Sequence, residues 1–159
     1  MITSFFGING ISGFNLQSSV AHLNGILSPI EHKFSSVTLG WTNLYNYFFI
    51  DVSQINTPSN LPLHSALVAT DKSAILMDIT LHFEQKFFAD LLMELQAVYG
   101  DELLQSNSSI SGLPTSSRCF WRLGDMSIFL TEQLNTNMLE VNFSKMHYDS
   151  IKPYFILHN

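Results

Sequence analysis

This 159-residue chain is short of charge: only 13% of its residues are Asp, Glu, Lys or Arg, about half the share of an ordinary soluble domain. Its polar surface must therefore come mainly from Ser, Asn, Thr and Gln. The charge that is present is one-sided, with a formal net charge of −6. An acidic surface repels nucleic-acid phosphates and disfavours DNA or RNA as a ligand. The same field would hasten encounter with a basic protein. Cysteine is nearly absent: Cys119 stands alone, so no internal disulfide can form and no oxidising compartment is required. Long apolar runs are missing too. No segment approaches the roughly 20 apolar residues that span a bilayer, and residues 1–8 lack the basic start and apolar stretch of a secretory signal. The expectation is a cytoplasmic protein without a membrane segment.

Motifs that carry chemistry are equally scarce. Gly7, Gly10 and Gly13 precede a segment with helical spacing. Their spacing is wrong for a dinucleotide fingerprint, which needs the first two glycines closer together, and no Walker-type Lys-Ser or Lys-Thr follows. A glycine-rich turn accounts for them. The six histidines are scattered, and no two stand three or four residues apart as a metal pair on a helix would. His82 and Glu84 share a strand face and could touch a metal, but such surface pairs are ordinarily solvated. No serine sits in a Gly-x-Ser-x-Gly elbow. Strand alternation puts Arg118 and Arg122 opposite Cys119, so they do not activate its thiol. Asp78 on a strand and Asp101-Glu102 beyond a helix are not brought around a cleft by anything in the sequence, as a glycosidase pair would require. The expectations are no catalytic residue, no metal and no cofactor.

What the chain has in quantity is hydrophobic surface, 46% of residues, including 13 Phe. That suffices for a packed interior in one domain, or in two small halves sharing a core. The most informative stretch is 74–148. Residues 74–83 alternate as a half-buried strand, with Ile75, Met77, Ile79, Leu81 and Phe83 on one face and Leu76, Asp78, Thr80 and His82 on the other. From Gln85 to Tyr99 the spacing turns helical, with Phe87, Phe88, Leu91, Leu92, Leu95, Val98 and Tyr99 in one stripe and Gly100 as its stop. Residues 101–117 read as a long polar loop. Residues 118–123, 127–132 and 138–143 read as strands of an antiparallel meander, joined at Gly124-Asp125 and Asn135-Thr136-Asn137.

Earlier in the chain, residues 2–8 read as a strand. Asn15 can cap a helix in which Leu16, Val20, Leu23 and Leu27 share a face, stopped at Asn24-Gly25. Residues 34–41 and 45–52 read as two strands, and 53–65 as a loop. Residues 66–70 read as a brief strand. The fold class is therefore α+β, an antiparallel sheet packed on one or two helices. The order also admits two pseudo-repeated strand-helix-strand-strand-strand units, 2–70 and 74–148, within a single domain of residues 1–159. The alternative is a single irregular α+β sheet.

Phe88-x-x-Leu91-Leu-x-x-Leu95-x-x-x-Tyr99-Gly100, then Trp121, then Ile128-x-Leu130 form a pattern that resembles one in small bacterial proteins. Several of these are immunity proteins that neutralise toxins of competing bacteria. Phe6-Gly-Ile-x-Gly-Ile resembles the opening of the same kind of unit. The resemblance covers about half the chain and rests on packing residues, so no functional residue carries over with it. It implies a cytoplasmic inhibitor that occludes a toxin by surface contact. From charge and expected exposure, the candidate partner-binding residues are Asp78, Glu84, Asp101, Glu102 and Glu140, with Tyr47 as an aromatic anchor for a basic toxin domain. Asp78, Glu84, Glu132 and Glu140 are expected on one open sheet face. The rival readings are a chaperone for a secreted effector and an enzyme with an unfamiliar site.

Overall fold

The computed structural model describes residues 5–23, 25–30, 45–108, 116–133 and 137–145. The strand expected at 34–41 and the tail from Tyr148 lie outside them. The α+β class is as expected. Strands β4 (Leu27–Pro29), β5 (Asn46–Ile50), β6 (Leu63–Thr70), β7 (Leu76–Glu84), β8 (Leu104–Ser108), β9 (Ser116–Leu123), β10 (Met126–Gln133) and β11 (Met138–Ser144) form one sheet. Its order is β4-β5-β6-β7-β11-β10-β9-β8, and every pairing is antiparallel. A second small sheet comprises β1 (Phe6–Gly7), β2 (Gly10–Ile11) and β3 (Phe14–Asn15). Helix α1 (Phe88–Tyr99) follows one turn of 3-10 helix at Gln85–Phe87.

Period-two patterning builds the large sheet. In β11 Leu139, Val141 and Phe143 are buried and the residues between them are half-buried. The rows continue across neighbouring strands: Phe48, Val68, Ile79, Phe143, Ile128 and Trp121 stand side by side on the inner face. Leu91 and Leu95 of α1 close on that face, with Phe6, Ile11 and Phe14 of the small sheet in the same core. Gly124 at φ 58 supplies the first central residue of the two-residue turn between Leu123 and Met126, where a side chain would be strained. Helix α1 ends at Gly100, φ 82, whose N–H returns to the Gln96 carbonyl at 2.8 Å.

Four expectations need correction. Among the described residues, the segment from Asn15 to Leu27 forms no α-helix. It closes the β2–β3 hairpin, bridges Ser19 to Ile75 and makes one 3-10 turn at Ala21–Leu23. The reason is long-range pairing. Gln17 N–H donates to Leu76 O, Leu76 N–H to Ser18 O and Val20 N–H to Ala74 O, at 2.6, 2.9 and 2.9 Å. Leu16 and Val20 are buried all the same, so the apolar spacing was a core signal without a helix. Among the described residues, the first half carries no α-helix to match α1.

Second, the 101–117 segment is not all loop, because Leu104–Ser108 pairs with β9 as an edge strand. Third, β6 begins at Leu63, inside the stretch read as loop. Fourth, the alternation of β7 slips at its start. A register shift opposite Ala69 and Thr70 leaves Met77 out of the pairing, so Leu76 and Ile79 are both buried while Met77 is only half-buried. One inserted residue reverses the sense of every side chain before it.

Candidate functional site

The register places chemistry-bearing side chains on the face of the large sheet turned away from α1. One row there runs Tyr47, Ala69, Asp78, Ser144 and Ser127 across five strands. The next runs Phe49, Leu67, Thr80, Asn142, Phe129 and Phe120. A third runs Ser65, His82, Glu140 and Thr131. Period two on four central strands brings these residues together although the sequence scatters them.

Asp78 and Asn142 form one knot on this face. Asn142 Nδ2 donates to both Asp78 oxygens at 3.0 and 3.1 Å and approaches Thr80 Oγ1 at 3.0 Å. Thr80 Oγ1 donates to Asp78 Oδ2 at 3.1 Å. Burial pushes the Asp78 carboxyl up to about 6, against the hydrogen bonds from Asn142, Thr80 and Ser144, with the Glu140 charge raising it further. Both effects act on the ionised form, and the loss of solvation is the larger of the two. Burial also raises the Tyr47 phenol, and the Asp78 charge adds to the effect.

The second knot is a relay. Ser65 Oγ lies 3.1 Å from His82 Nδ1, and His82 Nε2 lies 3.2 Å from Glu140 Oε1. Sequence reasoning missed it because the three residues come from β6, β7 and β11, and no spacing rule joins them. The signal that finds it is register, since Ser65, His82 and Glu140 are direct cross-strand partners.

The expected partner-binding residues divide. Tyr47, Asp78 and Glu140 share this outer face and are half-buried. Glu84 stands exposed at the end of β7, paired with Lys86 at 3.2 Å. Glu132 does not join them. It stands opposite Leu139, in the row of Phe83, and meets the Gln85 amide at the foot of α1. Asp101 and Glu102 lie elsewhere, just past the C-terminus of α1. Gln96 Nε2 donates to Glu102 Oε2 at 2.8 Å, which folds that carboxylate back on the helix and lowers its pKa.

A second surface gathers at that helix end. Trp121 Nε1 donates to Gly100 O at 2.8 Å, and Tyr99 Oη to Gly7 O at 2.6 Å. These two bonds bring the β1–β2 turn and the start of β8 to one corner. Two of the most exposed large hydrophobic residues lie close in the chain to these bonded carbonyls: Ile8, next to Gly7, at 74%, and Leu103, three residues past Gly100, at 67%. Exposed Asp101 and half-buried Glu102 come just before Leu103 in the chain. Nothing in residue order marks Ile8 or Leu103, since exposure of a single apolar residue cannot be read from pattern.

Cys119 is fully buried, and desolvation followed by the Glu102 charge pushes its thiol up to about 11. That agrees with an inert core cysteine. Among the described residues no group of three His, Cys, Asp or Glu side chains could hold a metal ion, and no helix is long and apolar enough to cross a membrane. The fold and surfaces thus define an α+β protein, mostly antiparallel sheet with a helix packed on it. Comparison of the chain with protein families, curated proteins and solved structures finds no match.

Proposed function

We propose that this protein is a non-enzymatic binding module, an immunity-type inhibitor that docks on a basic toxin domain from the corner at the end of α1. The observation that carries the reading is the exposure of Ile8, next to the bonded Gly7 carbonyl, and of Leu103, which follows Asp101 and Glu102 in the chain. Large apolar side chains held out in water by a hydrogen-bonded corner are the form that binding anchors take. The net charge of −6 supplies attraction toward a cationic surface and speeds encounter before the anchors engage. The backbone at each anchor is held, because Tyr99 bonds the Gly7 carbonyl next to Ile8 and the Leu103 N–H donates to Phe120 O at 2.7 Å. Little ordering entropy is then lost on association.

The test is co-expression with the product of the adjacent reading frame, followed by purification at micromolar concentration and low salt. The expected complex weakens as salt rises. Leu103→Asp and Ile8→Asp each weaken it by at least about tenfold, or about 1.4 kcal/mol. Asp101→Lys and Glu102→Lys act mainly on the association rate. If no complex forms under those conditions, the inhibitor reading fails.

A further inference from the structure

We infer that Ser65 is an activated nucleophile, able to take up one acyl or phosphonyl group per chain from an electrophilic ester. The inference does not rest on the docking reading, which uses a different surface.

The arrangement has the parts that activate a hydroxyl. The Glu140 carboxylate can only accept, so a neutral His82 carries its proton on Nε2, facing Glu140 Oε1 at 3.2 Å. Its Nδ1 lone pair is then turned to Ser65 Oγ at 3.1 Å, and the hydroxyl donates to it. Nucleophile, base and orienting carboxylate are thus linked in series. The two ring nitrogens are exchanged relative to the serine-hydrolase triad, but the logic of recognising such relays is by geometry and role. The Ser65–His82–Glu140 residues are themselves half-buried on the sheet's outer face, which strengthens each hydrogen bond without sealing the hydroxyl away.

Position supports the same conclusion. A register shift between Leu63 and Ser65 interrupts the ladder next to the serine, and such irregularities re-aim side chains. Two residues along the same face is Leu67, paired with Phe49. Phe49 is 48% exposed, and with Leu67 it forms an apolar row next to the Ser65 row on this face, to which the body of an acyl group could bind. Ser53 is the internal contrast. Its Oγ donates to the Asp51 carboxylate at 2.6 Å, and a carboxylate there holds the hydroxyl without an imidazole in series.

In the reaction Ser65 Oγ bonds to the acyl carbon or phosphorus, and its proton passes to His82 Nδ1. The bond to the aryloxide or fluoride leaving group breaks, and the imidazolium, paired with Glu140, gives the proton to the leaving group or to water. Nothing in the relay supplies an oxyanion hole, so transfer is slow and stops at one adduct.

The test is incubation of the whole protein with a fluorophosphonate reporter, followed by intact mass and peptide mapping. One adduct on Ser65 is expected, absent in Ser65→Ala, with Ser53 unlabelled. His82→Gln should slow labelling by about a hundredfold, the lower end for loss of a general base. Glu140→Gln, which keeps the shape of the side chain, should slow it several-fold, and circular dichroism should show both variants folded. An unlabelled wild-type protein, or a rate unchanged in His82→Gln, would overturn the inference.

Discussion

Tyr99 at the last turn of α1 donates its hydroxyl to the carbonyl of Gly7 in the small sheet across 2.6 Å. This bond, with the stack of Phe6 on Phe143, ties the two sheets and the helix into one core. Burial raises the phenol well above its ordinary range, so it remains a donor throughout the working pH range. Tyr99→Phe should cost about 1–2 kcal/mol by leaving a carbonyl unpaired. A urea titration followed by tryptophan fluorescence measures it. An unchanged midpoint would mean that water replaces the hydroxyl.

Gly10 marks the tightest approach in the small sheet. A Cβ there would lie 2.5 Å from the Phe14 carbonyl oxygen and 3.0 Å from Ile79 Cδ1, at a φ of 139. Gly10→Ala should therefore destabilise by about 2–4 kcal/mol, combining backbone strain with overpacking. Gly13, φ 87, has nothing within 4 Å of its would-be Cβ. Gly13→Ala should cost only about 1–2 kcal/mol, the conformational part alone. Thermal melts of the two variants separate the contributions.

Asp78 gives the protein a pH signature. Its carboxyl ionises at about 6 when folded, against 3.8 as the ordinary value. Between those pH values the native state holds a proton that the unfolded chain has released. Stability therefore falls as pH rises through that window, by on the order of 2–3 kcal/mol, and this contribution is flat above it. Asp78→Asn removes the ionisation. It should be the more stable protein at pH 7.5 and lose that advantage at pH 4. Chemical denaturation at the two pH values decides it, and an advantage equal at both would refute the assignment to Asp78.

Cys119 should be silent toward thiol reagents. It is fully buried with its thiol raised to about 11, and the thiolate is the reactive form. Iodoacetamide at pH 8 should leave the native protein unmodified over hours and alkylate it within minutes in strong urea. Prompt alkylation of the native protein would mean that β9 opens locally.

Much of the second half was legible from residue order. Helix α1 and its stop at Gly100 follow from apolar spacing and a glycine, and β9–β10 follow from alternation around Gly124-Asp125. Both are local patterns whose period matches the element they form. The first half misled at Leu16 and Val20, where core burial imitates a helical stripe while backbone bonds run to Ala74 and Leu76. Pairing over such a distance leaves no local trace. Edge strand β8 was hidden for a related reason, since its polar composition reads as loop and its pairing is with the distant strand β9.

Residue order thus established the amount of apolar material, the sign of the net charge and the places where the chain turns, because each is a property of neighbours along the backbone. Which side chains meet was settled by the register of antiparallel strands. Ser65, His82 and Glu140 touch because three strands align, and Ile8 comes to the end of α1 because Tyr99 reaches Gly7. A shift of one residue in any of those pairings would turn the same side chains to the opposite face.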